Sequence, residues 1–368
     1  MQRDRKGSAL MRKLGAVLLA AAAGLMLAAC GSSDDGGSSG GSARHEGRWK
    51  IVLSNNYMGN EWRPQMVNQL NFVAHSARYD DKVDFDVQNV ELTPTAQIAS
   101  LQSITRQKPD AILLNAASPT ALNPTVEQAC KAGILVITFD QTATAPCAYV
   151  YQVDYERTGH DMVEFLATAL RGRGDILMDT GLAGVPISET WLRVWRQILA
   201  EKYPDIHVVG TYSAQYAPGP ELQGVSSLLS QHDHIDGVLS GAYCSSIVKA
   251  LRAANRPLVP MTCLNVNGNE QVCEQNRLPC LFVGAPSWVG AVALEAAVKI
   301  LEGGDQPRFT QTYDKNFVNN PDNFEFEHEL EAEPLTPGVN YYPDESPSLI
   351  TPITYDDWNM TPADVLGQ

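Results

Sequence analysis

From Trp49 onward the sequence alternates between two hydrophobic rhythms, and that alternation limits what the chain can become. Short apolar runs at Trp49–Leu53, Ala111–Leu114, Ile134–Phe139, Ile176–Met178, Val238–Leu239 and Leu281–Val283 read as strands buried on both faces. Between them lie stretches of helical period. One carries Met66, Leu70 and Val73; another runs from Pro94, a good first-turn residue, through Ile98, Leu101 and Ile104. A third spans Pro119 to Ala132 and meets Gly133, the expected stop. Further helices are expected at 159–170, 189–202, 246–254 and 289–301. Strand–helix–strand units repeated this often predict an α/β fold with parallel sheets. Four or five strands precede residue 153 and a similar set follows, so two doubly wound lobes are expected, with "YVYQVDYERTG" as a strand running into a hinge. From about Arg308 the pattern breaks into a tail rich in Pro, Asn, Asp and Tyr. Its first part, "FTQTYDKNFV", has the makings of one more strand; the rest reads as a surface-hugging extension.

The 368 residues carry a net charge of −15. Five basic groups and one acid fall in the first 29 residues, which leaves the remainder at −19. A body that acidic, with no basic stripe, repels phosphate backbones, so nucleic acid is excluded as a partner. The basic start (Arg3, Arg5, Lys6, Arg12, Lys13) precedes an apolar run, Leu14 to Ala29, that is too short for a comfortable membrane span. The run ends Leu27-Ala28-Ala29-Cys30, which resembles the bacterial lipobox and implies cleavage before Cys30 and acylation of its sulfur. An ordinary signal peptide or a short anchor helix is the alternative. "GSSDDGGSSGG" then reads as a flexible tether, so 1–29 is taken as signal and 30–48 as linker. Six cysteines remain, an even number suited to disulfides in an exported chain. Proximity and the strand ends they flank favour Cys130–Cys147, Cys244–Cys263 and Cys273–Cys280; buried free thiols are the alternative. Their spacings are not those of a metal site, and no metal or cofactor is expected.

In open parallel sheets, ligands sit beyond the carboxyl ends of the strands. After the first strand come Asn55, Asn56, Tyr57, Asn60, Glu61 and Trp62; after the next two, Asn115 and Ser118, then Asp140 and Gln141. The second half offers Gly181 through Glu189, then Tyr243, Asn265 and Asn267, and finally Ser287 and Trp288. Carboxamides both donate and accept, and a carboxylate accepts strongly, which suits vicinal hydroxyls. Tyr and Trp offer flat apolar faces to the C–H side of a sugar ring. The competing reading is structural: Asn55 and Asn56 satisfy a turn, and Trp62 is a core residue at a helix start.

At "KIVLSNNYMGNEWRPQM", "QIASLQSITRQKPDAILLNAASPTALNPTVEQACKAGILVITFDQ", "YQVDYERTGHDMVEFLATAL", "GDILMDTGLAGVP", "RPLVPMTCLNVNG" and "WVGAVALEAAVKILEG" the chain resembles the periplasmic sugar-binding proteins of ABC importers, in their ribose-binding branch. The resemblance covers about residues 49–303 in order. It implies two lobes, 49–153 with about 285–312 and 154–284, joined by three hinge crossings and closing on one sugar, with 313–368 as last crossing and extension. The crossings fall near Asp154, near Gly284–Ser287 and within 312–318. The resemblance puts Asn56, Tyr57 and Trp62 against the ring, makes Asp140 the acceptor from sugar hydroxyls, and makes Asn265 or Asn267 the second-lobe polar ligand. It implies a monosaccharide or polyol ligand, an ABC permease as partner, lipid contact through Cys30, and a monomer. Three positions depart from the ribose-type pattern. Gln141 and Glu189 stand where arginines are common, and "GAYC" replaces an Asn-Asp pair. Losing two rigid bidentate donors changes the hydroxyl pattern being read, and leaves a polyol or a different aldose open.

No nucleophile elbow, P-loop, GxGxxG after a strand or HExxH occurs, and the chain is not expected to be an enzyme. His232-Asp233-His234 reads as a solvated turn, and Asp179 with Glu189 as no more than a chance carboxylate pair. A repressor of the same two-lobe plan would need an N-terminal helix-turn-helix where this chain has an export signal. A lipoprotein that presents sugar to a membrane sensor fits the same features as an importer.

Overall fold

The computed structural model describes residues 47–312, 315–325, 330 and 332–368; the export segment, Cys30 and nearly all of the linker lie outside them. The chain builds two α/β lobes. The first begins β1 (Trp49–Asn55), α1 (Trp62–Ala74), β2 (Val83–Asn89), α2 (Pro94–Gln107), β3 (Ala111–Asn115), α3 (Asn123–Lys131), β4 (Leu135–Phe139), β5 (Tyr149–Gln152). The second runs α4 (Tyr155–Ala169), β6 (Gly174–Asp179), α5 (Pro186–Lys202), β7 (Ile206–Tyr212), α6 (Pro218–Leu229), β8 (Gly237–Leu239), α7 (Cys244–Ala253), β9 (Met261–Leu264), α8 (Asn267–Gln275), β10 (Cys280–Val283). Then α9 (Val289–Leu301) returns to pack on β3, β4 and β5 of the first lobe. After it come β11 (Phe309–Gln311), β12 (Asn316–Asn319), β13 (Ala332–Pro334) and a last helix, α10 (Pro362–Leu366).

The first sheet has six strands, all parallel, in the order β11-β5-β4-β3-β1-β2. The second has seven, β13-β12-β10-β9-β8-β6-β7, antiparallel only where β12 meets β10. The apolar runs become the central strands because both faces are covered by helices: β3 is buried throughout. Local signals set the helix ends. Thr93 accepts the Ala96 N–H ahead of Pro94, and Gly133 takes φ +85° just past α3. Three disulfides, Cys130–Cys147, Cys244–Cys263 and Cys273–Cys280, tie α3 to the approach of β5, α7 to β9, and α8 to β10. Among the described residues no helix is long and apolar enough to cross a membrane.

"FTQTYDKNFV" is not one strand but two, β11 in the first sheet and β12 in the second, so it is itself a crossing between lobes; Tyr313 and Asp314 within it lie outside the described residues. The tail also differs from a surface-hugging extension. Leu349, Ile350, Ile353, Trp358 and Val365 are buried in the main hydrophobic core. Residues 342–351 lie on the second lobe, with Asn267, Gly268 and Gln271 bonded to tail backbone. Residues 353–368 lie on the first, where Gln69 and Asn68 of α1 donate to the carbonyls of Ile353 and Val365. The tail therefore adds a fourth passage from lobe to lobe.

Candidate functional site

The carboxyl ends of β1, β3 and β4 face those of β8, β9 and β10 across a narrow cavity of about 50 Å³. The first lobe contributes Asn60, Trp62, Arg63, Asp140 and Gln141. The second contributes Ile187, Tyr216, Tyr243 and Leu264; Ala285 comes from the crossing between β10 and α9, and Ile350 from the tail.

The first-lobe wall is built around a buried charge pair. Asn60 accepts the Arg63 N–H (3.1 Å) and so helps to start α1, which brings Trp62 and Arg63 to the cavity. The Arg63 guanidinium is buried; it lies 5.0 Å from the Trp62 ring centroid, 3.4 Å from Asn55 Oδ1 and 3.5 Å from Asp140 Oδ2. Burial pulls its pKa below the usual arginine value, and the Asp140 charge opposes that shift. Asp140 follows β4 with φ +54°, a conformation that a side chain adopts at some cost, and aims its carboxylate at this corner. Its Oδ1 accepts from Tyr155 Oη (2.5 Å) and its Oδ2 from Asn115 Nδ2 (3.0 Å). Burial, then the Asp140 charge, raise the Tyr155 phenol well above its ordinary pKa, so it stays a donor. The Gln141 amide satisfies its surroundings when its oxygen faces Arg63 Nη2 (2.9 Å) and its nitrogen faces Ala116 O (3.2 Å). A carboxylate has about four lone-pair sites, so these donors leave Asp140 room for another.

The remaining walls are apolar, with their polar tips engaged. The indole N–H of Trp62 donates to Ala285 O (2.7 Å). Tyr216 Oη pairs with Ser188 Oγ at 2.7 Å. The Tyr243 phenol hydrogen-bonds Glu61, whose carboxyl is raised by burial and lowered by that phenol. Among the described residues, larger cavities of about 440 Å³ beside Trp288 and β11 and about 480 Å³ beside α8 do not collect the buried charge pair at the strand ends.

Of the expected ligand residues, Trp62, Asp140, Gln141 and Tyr243 line the interlobe cavity. Asn115 stands behind Asp140, and the Asn56 amide lies beside that of Gln141. Asn55 is engaged with Tyr57 O and Asn89 Oδ1, which is the turn role rather than a ligand role. Tyr57 packs its ring over Gly59 and is not among the cavity-lining residues. Glu189 is exposed and accepts from Gly184 N–H, whereas Ile187, two residues earlier, faces the cavity. Asn265 and Asn267 are buried under the tail: Asn265 Nδ2 donates to Thr351 O, and Asn267 Nδ2 to Tyr342 O (2.7 Å). Trp288 stacks on Tyr355, with centroids 4.7 Å apart, and lines the 440 Å³ cavity instead. Sequence reasoning passed over Arg63, Tyr216 and Ile350. Arg63 was findable by asking what neutralises Asp140; an apolar residue between Pro347 and Pro352 in a polar tail gives no such signal. Among the described residues, the one cysteine group close enough to ligate a metal, Cys244, Cys263 and Cys273, is held in disulfides.

A periplasmic binding protein domain matches residues 51–305, more than two thirds of the chain. The chain belongs to that family. The ribose import binding protein of Bacillus subtilis strain 168 is 24% identical over 211 residues, which span 56% of this chain and 68% of that protein. An ABC transporter solute-binding protein from Thermobispora bispora superposes with a TM-score of 0.67 at 28% identity, covering 72% of this chain and 83% of that one. A solute-binding protein from Bacillus halodurans, solved with myo-inositol, gives 0.66 at 19% identity over 77% and 98% of the two chains. These relatives are binding proteins and not enzymes.

Proposed function

We propose that the protein is the extracytoplasmic substrate-binding component of an ABC sugar importer, acylated at Cys30, that captures a monosaccharide or polyol between its lobes and hands it to a membrane permease. The residues 49–153 with about 285–312 act as one jaw and 154–284 as the other. The observation that carries this reading is the Arg63–Asp140 pair, backed by Gln141 and Asn115, in a cavity walled by Trp62 and two tyrosines. Such a corner gives and accepts hydrogen bonds for vicinal hydroxyls while aromatic faces cover ring carbons. The ligand bridges both lobes and so favours the closed form by its differential affinity. The ribose and myo-inositol named for two relatives support a polyhydroxyl ligand. Calorimetric titration with monosaccharides and cyclic polyols tests the reading: at least one binds, and Asp140→Asn weakens it. Silence from the whole set overturns it.

A further inference from the structure

We propose that the tail supplies a wall of the ligand pocket through Ile350, and that this wall selects a carbohydrate with a hydroxyl-free edge, a deoxy sugar. The inference rests on the reading above, and sharpens it. Two second-lobe amides to which the resemblance gave ligand contact hold the tail instead. Asn265 donates to Thr351 O and accepts the Ala285 N–H at 3.3 Å. Asn267 both donates to Tyr342 O (2.7 Å) and accepts the Tyr342 N–H (2.9 Å). What they secure is the backbone around Ile350, which also bridges to Val266 and donates its own N–H to Gln65 Oε1 at 2.8 Å. Its side chain is 1% exposed and lines the cavity beside Leu264 and Ala285.

This wall is carbon apart from the Ala285 carbonyl, which already accepts from Trp62. A sugar hydroxyl pressed there would give up water for at most the second lone pair of that one carbonyl, whereas a methyl group would bury apolar surface. The ring hydroxyls are served from the other lobe by Arg63, Asp140 and Gln141. Ile350 lies beyond residue 305, where the shared family domain ends, so the ligands of relatives do not predict this preference.

Calorimetry on the full chain with matched pairs decides it: L-fucose against L-galactose, L-rhamnose against L-mannose, 2-deoxyribose against ribose. The expected result is at least one pair in which the deoxy member binds about tenfold or more tightly. Ile350→Asn should bring that ratio close to one while leaving the melting transition cooperative. Should the asparagine fail to fold, Ile350→Thr keeps the branched shape and adds one hydroxyl, and the ratio should still shrink. Sugars that bind with no deoxy preference in any pair, or a preference untouched in a folded Ile350 variant, overturn this inference and leave the importer reading standing. No binding by any sugar or polyol removes both.

Discussion

Arg63 and Asp140 meet 3.5 Å apart, with the guanidinium almost fully enclosed and the carboxylate nearly so. In that setting neither charge is easily left alone, because removing one partner strands the other in a poor solvent. Arg63→Met is therefore expected to lower stability by about 3–5 kcal/mol in urea denaturation, and to lose sugar binding. Asp140→Asn strands the Arg63 charge in the same way and, with its amide oxygen kept on Tyr155, turns its NH2 toward the donors Arg63 and Asn115, so it should lose stability as well as bind sugar poorly. Equal stability of Arg63→Met and the parent would show that the pair does not matter as described. The sequence made Asp140 legible because a strand end followed by an acid is a recognisable position. Arg63 was hidden because an arginine at a helix start looks like a solvated charge until its neighbours are known. In the ribose-type pattern an arginine commonly follows the aspartate directly; here Gln141 does, and the cation beside Asp140 arrives from α1.

At the scale of elements, what could be read was what is buried on both faces. The central strands and the helices over them follow from continuous apolar runs and 3.6-residue spacing. The edge strands β2 and β7 escaped that test, since each is largely solvated and carries no continuous apolar run. The tail escaped it too, because its binding to the body uses backbone groups and scattered apolar residues with no period. One contact there is titratable. Glu270 of α8 accepts from Thr351 Oγ1, and burial raises its pKa from 4.5 to about 8; Glu221, also buried, is raised to about 8. A carboxyl that is more basic when folded holds a proton that the unfolded chain has released. The folded state is thus favoured fully below about pH 4.5, and stability declines as pH climbs toward about 8. Glu270→Gln keeps the acceptor for Thr351 without the ionisation. It should match the parent in urea midpoint near pH 5 and exceed it near pH 8, with Glu221 sustaining the residual slope. An unchanged pH profile would place the titration elsewhere. The disulfides belong to this scale as well. Cys130–Cys147 closes a separation of 17 residues, so replacing both by alanine should cost about 3 kcal/mol in the same assay.

The whole molecule is set apart from a simple two-jaw clasp by its fourth passage between lobes. In the proposed opening of the lobes α1 would move away from β9 and α8, but residues 342–351 are fastened to the second lobe and 353–368 to the first. Gln65 of α1 sits at the change-over, donating to Ser348 O (2.6 Å) and accepting the Ile350 N–H (2.8 Å). Such an opening would stretch these two bonds, because the second-lobe anchors through Asn265, Asn267 and Gln271 are more numerous. Each such bond is worth about 1 kcal/mol, so the strap biases the ligand-free protein toward closure. Gln65→Ala removes both bonds while leaving the rest of the tail seated. Its ligand-free form should then scatter X-rays with a larger radius of gyration than the parent, and saturating sugar should bring the two together. Apparent affinity should fall by about five- to thirty-fold, the equilibrium equivalent of 1–2 kcal/mol, since ligand must now supply the closing free energy that the strap provided. Identical scattering of parent and variant without ligand would mean that the tail rides on one lobe and leaves the hinge untouched.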